Sequence, residues 1–133
     1  MTFRTFLIIK AVVCLVFGLF LLLAPVVLLN ILGTGLNDGG TFTAREYGAA
    51  LIGTLLLTWF AKDVKATDAR GAILLDLFIY DLIGVVVTSS VTISGVLNVL
   101  GWSIVVVYLF FTVGSGYLIL KEKPLQRASA TEV

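Results

Sequence analysis

Histidine is absent from this chain of 133 residues, and cysteine occurs once, at Cys14. Without histidine there is no Ser-His-Asp hydrolysis, no His-ligated haem and no Cys/His zinc site. A single thiol gives neither an intrachain disulfide nor a dithiol couple within the chain. Charge is scarce as well. Asp, Glu, Lys and Arg make up 13% of the residues, where a soluble domain carries about 25%. Nine basic against eight acidic side chains leave a formal net charge of +1, too little for a global field that recruits nucleic acid.

Apolar residues take the vacated space, at 59% of the chain. They gather in four stretches, 6–32, 42–61, 71–90 and 97–120. A helix needs about 20 residues to cross a hydrocarbon core about 30 Å thick, and each stretch reaches that length. None alternates with the period of two that a barrel strand requires. Backbone polar groups in lipid must be satisfied internally, which leaves helices. The pattern predicts an all-α integral membrane protein of one domain over 1–123. Its short loops predict an antiparallel up-down-up-down bundle of four transmembrane helices. The first stretch starts with Arg4 and Lys10 like a signal peptide, but runs past a normal h-region with no A-x-A-like site, so it reads as a retained span. Pro25 is expected to kink or end its helix. The polar residues 124–133 read as a flexible cytoplasmic tail, whose Thr131-Glu132-Val133 end weakly matches ligands of PDZ-type grooves.

The loops divide by charge. Arg4 and Lys10, then Lys62, Lys65 and Arg70, then Lys121, Lys123 and Arg127 fall on one side of such a bundle. The loop from Gly33 to Gly40 and the turn from Ser89 to Asn98 contain neither Lys nor Arg. Arg45 alone breaks the pattern. Positive residues mark the cytoplasmic side, so both termini are expected in the cytoplasm, N-in and C-in, across the cytoplasmic membrane.

Ionisable groups at membrane depth are costly and by default face a partner or a water-filled cavity. Here they are Lys10, Arg45, Glu46, Asp76 and Asp81. Lys10 and Asp76 each lie six residues beyond a flanking arginine, so both sit about 9 Å inside the boundary. Lys10 shares a helix face with Cys14, Phe17, Gly18, Leu21 and Pro25. Either Lys10 pairs with Asp76 across two helices, or its long stem snorkels to the headgroups. Asp81 lies about 16 Å deep, near the bilayer centre, where an isolated carboxylate costs about 2.5 kcal/mol or more. It must be paired, hydrated or protonated. Asp76 is turned about 140° away on the same helix, which leaves the Tyr108 hydroxyl or Arg45 as partners. Lys10, Arg45, Glu46, Asp76, Asp81 and Tyr108 are therefore the candidate polar network. It serves either to fix helix orientation or to relay a proton or cation.

Smaller features suit packing. Ala44-xxx-Gly48 and Ala49-xxx-Gly53 form small-residue seams, and Trp59 and Trp102 lie near opposite span ends as interfacial anchors do. Asn37-Asp38-Gly39-Gly40 has too few ligands for a calcium loop, and Gly33-x-Gly35 lacks the strand context of a nucleotide site. The helix closing on Pro25, the run Ala44-Arg45-Glu46-Tyr47-Gly48-Ala49-Ala50, and Ser94-Gly95-Val96-Leu97-Asn98-Val99-Leu100-Gly101-Trp102 together resemble small bacterial four-span proteins similar to the DoxX-like group. That group includes a membrane subunit of a thiosulfate:quinone oxidoreductase, so the resemblance implies an accessory role beside a redox partner. No catalytic residue of that system has a counterpart here.

Three functions are compatible with these residues. The first is a non-enzymatic accessory or scaffold subunit acting through helix contacts with a membrane-protein partner or a second copy. The second is an oligomeric proton- or cation-coupled transporter or channel using Asp81. The third is a lipid- or quinone-binding protein with a pocket near Arg45, Glu46 and Tyr108. No catalytic group, metal or cofactor is predicted, and a quinone or lipid is the one ligand class left open.

Overall fold

The computed structural model describes residues 1–122; the expected tail at 124–133, with its Thr131-Glu132-Val133 end, lies outside the described residues. Five helices follow one another: α1 (Phe3–Leu23), α2 (Pro25–Ile31), α3 (Asp38–Ala61), α4 (Thr67–Ile93) and α5 (Gly101–Glu122). Among the described residues there is no strand.

Local chemistry sets the boundaries. The Thr2 side chain accepts from the Thr5 N–H at the start of α1, and Asn37 accepts from the Gly40 N–H at the start of α3. Pro25 divides the first apolar stretch as expected. Proline has no N–H to donate and its ring collides with the preceding turn, so Ala24 leaves helical geometry (φ −139°, ψ 53°) and Pro25 opens α2 at its first turn. Beyond α2 the chain turns at Gly33, whose φ of +86° lies where side chains are strained.

Three of the helices, α1, α4 and α5, are long and apolar enough to cross a membrane. At 24 residues α3 matches them in length. Arg45 and Glu46 in its first three turns keep it below the same standard of composition. The surface is rich in apolar side chains: Leu23, Phe60, Ile93, Val99 and Leu120 are each more than 70% exposed. That is an exterior suited to lipid.

The helices associate as two antiparallel pairs. In the first, Arg4 on α1 meets Asp63 just past α3 at 3.2 Å. Further along, the backbones of Gly18 and Gly48 touch so closely that a Cβ at Gly48 would lie 2.9 Å from the Gly18 carbonyl and 2.7 Å from the Leu22 nitrogen. The Ala44-xxx-Gly48 seam of α3 thus serves contact with α1, whereas Ala49-xxx-Gly53 lies on an exposed face and packs on nothing among the described residues. In the second pair Arg70 on α4 holds Glu122 on α5 at 2.7 Å, and Gly84 leaves room for the ring of Tyr108. The pairs join through α1 and α5, where Phe6 and Phe111 meet edge to face with centroids 5.7 Å apart. Consecutive helices α3 and α4 do not pack closely on each other. Packing between chain neighbours, expected throughout, therefore fails at the α3–α4 connection.

Two apolar clusters divide the interior. Phe3, Phe6, Leu7, Leu74, Leu77, Phe111 and Leu118 fill the end nearest the N-terminus. Cys14, Leu21, Leu28, Leu32 and Leu51 form the other, mostly on the α1–α3 pair. At that far end Asn98 ties the pairs together: its backbone N–H donates to the Leu32 carbonyl at 2.8 Å and its side-chain amide donates to the Ile31 carbonyl at 2.9 Å. The gap between α3 and α4 leaves a partly open cavity between the pairs.

Candidate functional site

The cavity measures about 550 Å³ and draws its walls from all five helices. Val13, Phe17, Leu21, Leu28, Leu51, Ile104 and Val107 make most of it apolar. Its polar groups are few: Lys10 from α1, Thr43 and Tyr47 from α3, Tyr80, Asp81 and Thr88 from α4, and Tyr108 from α5. This is the usual make-up of a small-molecule site, an apolar enclosure with a handful of placed polar groups.

Lys10 and Asp81 form a buried ion pair, with Nζ 2.5 Å from Oδ1. Lys10 is 3% exposed and Asp81 fully enclosed. The ammonium also lies 4.3 Å from the Phe111 ring centroid and 5.1 Å from that of Tyr80, so two aromatic faces share its charge. The second carboxylate oxygen, Asp81 Oδ2, is buried and has no hydrogen-bond partner among the described residues. Beside the pair, the Tyr47 hydroxyl bonds to both Tyr80 and Tyr108, the latter at 2.7 Å. These bonds bridge the gap between α3 and the α4–α5 pair.

The partner of Asp81 differs from both sequence expectations. Lys10 neither snorkels nor pairs with Asp76; it reaches further into the interior. Phe3 lies against Arg70, with the guanidinium 4.2 Å from its ring centroid, which sets the relative level of α1 and α4. From there Lys10 is seven residues along and Asp81 eleven, a difference of about 6 Å in rise. A four-methylene stem covers most of that. The Asp81 side chain leans toward the start of its own helix and covers the rest. Asp76 lies on the exposed face of α4 instead.

Of the six network candidates, Lys10, Asp81 and Tyr108 reach the cavity, and Arg45, Glu46 and Asp76 are exposed outside it. The Tyr108 hydroxyl bonds to Tyr47, not to Asp81. Tyr47 and Tyr80 were not singled out by sequence, although each adjoins a charged residue within an apolar stretch (Glu46 and Asp81), the one local signal that marked them. Among the described residues no three His, Cys, Asp or Glu side chains converge as metal ligands would.

At the opposite end of the pair from Asn98, a shallower cleft of about 300 Å³ gathers Arg4, Lys62, Lys65, Arg70 and Lys121 with Asp63 and Glu122. Five of the eight basic residues that suggested a cytoplasmic face thus lie together in space; Lys10 is in the buried ion pair, and Lys123 and Arg127 lie outside the described residues. Comparison of the chain with protein families, curated proteins and solved structures finds no match.

Proposed function

We propose that this chain is a four-span protein of the cytoplasmic membrane, with both termini inside, that binds a membrane-soluble small molecule between its two helix pairs. α3 supplies the fourth span in this reading. It is long enough, it follows α1 along a glycine seam, and the long stem of Arg45 lets its charge reach headgroups. The clustered basic cleft supports the orientation.

The observation that carries the binding role is the cavity, large, mainly apolar, and lined by a small set of polar groups. Lipid- and quinone-like molecules are the chemical class that such walls accept. The scaffold role rests on missing chemistry, whereas the cavity offers a positive feature. The two roles combine in an accessory subunit that presents a bound molecule to a partner, as the DoxX-like resemblance would have it. Ion coupling would require Asp81 to change charge during a cycle, and its close pairing with Lys10 favours a fixed neutral pair.

The test is native mass spectrometry of protein purified from membranes in mild nonionic detergent. Wild type is expected to carry one apolar molecule per chain. Ala44→Phe and Ile104→Trp, which put bulk into the cavity without touching its polar groups, are expected to release it. Recovery of wild type with only exchangeable bulk lipid, no different from the filled variants, refutes the binding role.

A further inference from the structure

Far from Asn98, the cleft beside the start of α1 carries charge that its own acids do not balance. Arg4, Lys62, Lys65, Arg70 and Lys121 line it with Asp63 and Glu122, so five cations against two carboxylates leave three positive charges over. Both carboxylates are already engaged. Asp63 lies 3.2 Å from Arg4 and 3.3 Å from Lys62, and Glu122 lies 2.7 Å from Arg70. Lys65 and Lys121 are exposed and have no acid partner among the described residues. Like charges crowded around one opening repel, so their convergence is unfavourable until an anion enters.

The bias that orients membrane proteins accounts for basic residues on one side, but not for this convergence. It acts on each loop by itself and asks only that the charge stay on the inner side. Here the cations come from the start of α1, the α3–α4 connection, the first turn of α4 and the last turn of α5. Two of them are also held in place. The Arg70 guanidinium lies 4.2 Å from the Phe3 ring centroid while Glu122 accepts one of its N–H groups. The Lys62 ammonium lies 4.5 Å from the Trp59 ring centroid and donates to the Trp59 carbonyl at 3.0 Å. Cations fixed before binding lose less freedom when an anion arrives.

The neighbours of the cleft select the anion. Trp59 and Tyr117 are exposed near the ends of α3 and α5, and the Lys121 ammonium lies 5.6 Å from the Tyr117 ring centroid. Aromatic residues so placed mark the level of lipid headgroups. Phe60 and Leu120, next to them along the chain toward the apolar spans, are bare. A soluble phosphate ester uses the cations and leaves that apolar surface uncovered, whereas a phospholipid engages both. Basic clefts between membrane helices accept anionic headgroups on the same principle.

Resting on the chain's place in a membrane and not on the binding role of the cavity, we propose that this cleft binds an anionic phospholipid of the adjoining leaflet by its headgroup phosphate. Lys65 and Lys121 supply the attracting charge. Arg4, whose side chain is 65% exposed, adds guanidinium N–H groups beyond the Nε that faces Asp63. The acyl chains run over Phe60 or Leu120 into the same leaflet. Arg4 belongs to the first helix pair and Lys121 to the second, so the bound phosphate joins the pairs at this end as Asn98 does at the other.

The test offers delipidated wild-type protein, in mild detergent, equal amounts of phosphatidylglycerol and phosphatidylcholine with identical acyl chains, and reads retention by native mass spectrometry. Wild type is expected to retain phosphatidylglycerol about 25-fold over phosphatidylcholine, about fivefold for each of the two lysines without acid partners. Lys65→Gln combined with Lys121→Gln leaves every ion pair of the cleft in place and is expected to bring the two lipids within about twofold of each other. Ala44→Phe and Ile104→Trp, which fill the central cavity, are expected to leave the preference unchanged. Equal retention by wild type overturns the proposal, and so does a preference that survives loss of both lysines or disappears when the cavity is filled. Glycerol 1-phosphate at the lipid's concentration is expected not to displace it; displacement assigns the cleft to soluble phosphate esters and overturns the choice of a lipid. The lipids are added after purification, so an effect of the lost charges on insertion does not enter, and the wild-type result alone can refute the assignment. Failure of the membrane reading shows separately, as protein that leaves the membrane fraction on alkaline carbonate washing.

Discussion

The Lys10–Asp81 pair predicts a particular pattern of stability. Asp81→Leu strands an ammonium that is 3% exposed, with only the Phe111 and Tyr80 rings for company. Lys10→Met leaves a fully enclosed carboxylate without its one partner and removes those two ring contacts as well. Breaking a buried pair from one side costs about 3–5 kcal/mol, and a cation over an aromatic face adds about 0.5–2 kcal/mol. Either single substitution therefore consumes a large part of the about 5–15 kcal/mol that holds a typical domain folded. The double variant has nothing left to desolvate. Methionine and leucine replace the pair with apolar groups of similar length, and it is expected to lie within about 1 kcal/mol of wild type or above it. The coupling between the sites then exceeds the roughly 3 kcal/mol seen for ordinary neighbours. Titration of the detergent-solubilised protein with SDS, followed by helical circular dichroism, measures all four corners of the cycle. Losses that add to within about 0.5 kcal/mol would show that the two residues do not meet, and the site built on them would fall.

The seam between α1 and α3 gives a second test. Gly48→Ala presses a methyl against backbone on α1 and is expected to cost about 1–3 kcal/mol in the same titration, whereas Gly53→Ala, which meets nothing within 4 Å, should gain about 0.5–1 kcal/mol. Equal effects would contradict the close approach. Orientation is tested with single cysteines in a Cys14→Ala background. A membrane-impermeant maleimide on intact cells should label Gly35→Cys and spare Lys65→Cys, and the opposite pattern would reverse the topology.

Much of the architecture is legible in the sequence because hydropathy and helix length are coupled through the thickness of a bilayer. The helices at 3–23, 67–93 and 101–122 cover three of the expected stretches, with Pro25 breaking the first where proline must. The demand that Asp81 find a partner was legible too, from depth alone. Its identity was not. Counting rise along two helices compares the levels of backbones, and a lysine side chain spans enough of the difference to choose a deeper acid over a level one. Tyr47 and Tyr80 were hidden for another reason. Aromatic residues in apolar stretches usually serve as packing, and only the wide spacing of α3 and α4 turns their hydroxyls toward one cavity.

The ion pair also has a history within each molecule. Its members are 71 residues apart, so Lys10 enters the bilayer long before Asp81 has been made. At synthesis rates of about 5–20 residues per second, the first helix waits roughly 4–14 s with its charge uncompensated. During that interval the ammonium has only headgroup water to turn to. Completion of α4 draws it inward and ends the exposure. A chain that stalls or inserts wrongly before that point keeps a lysine without its partner in its first helix.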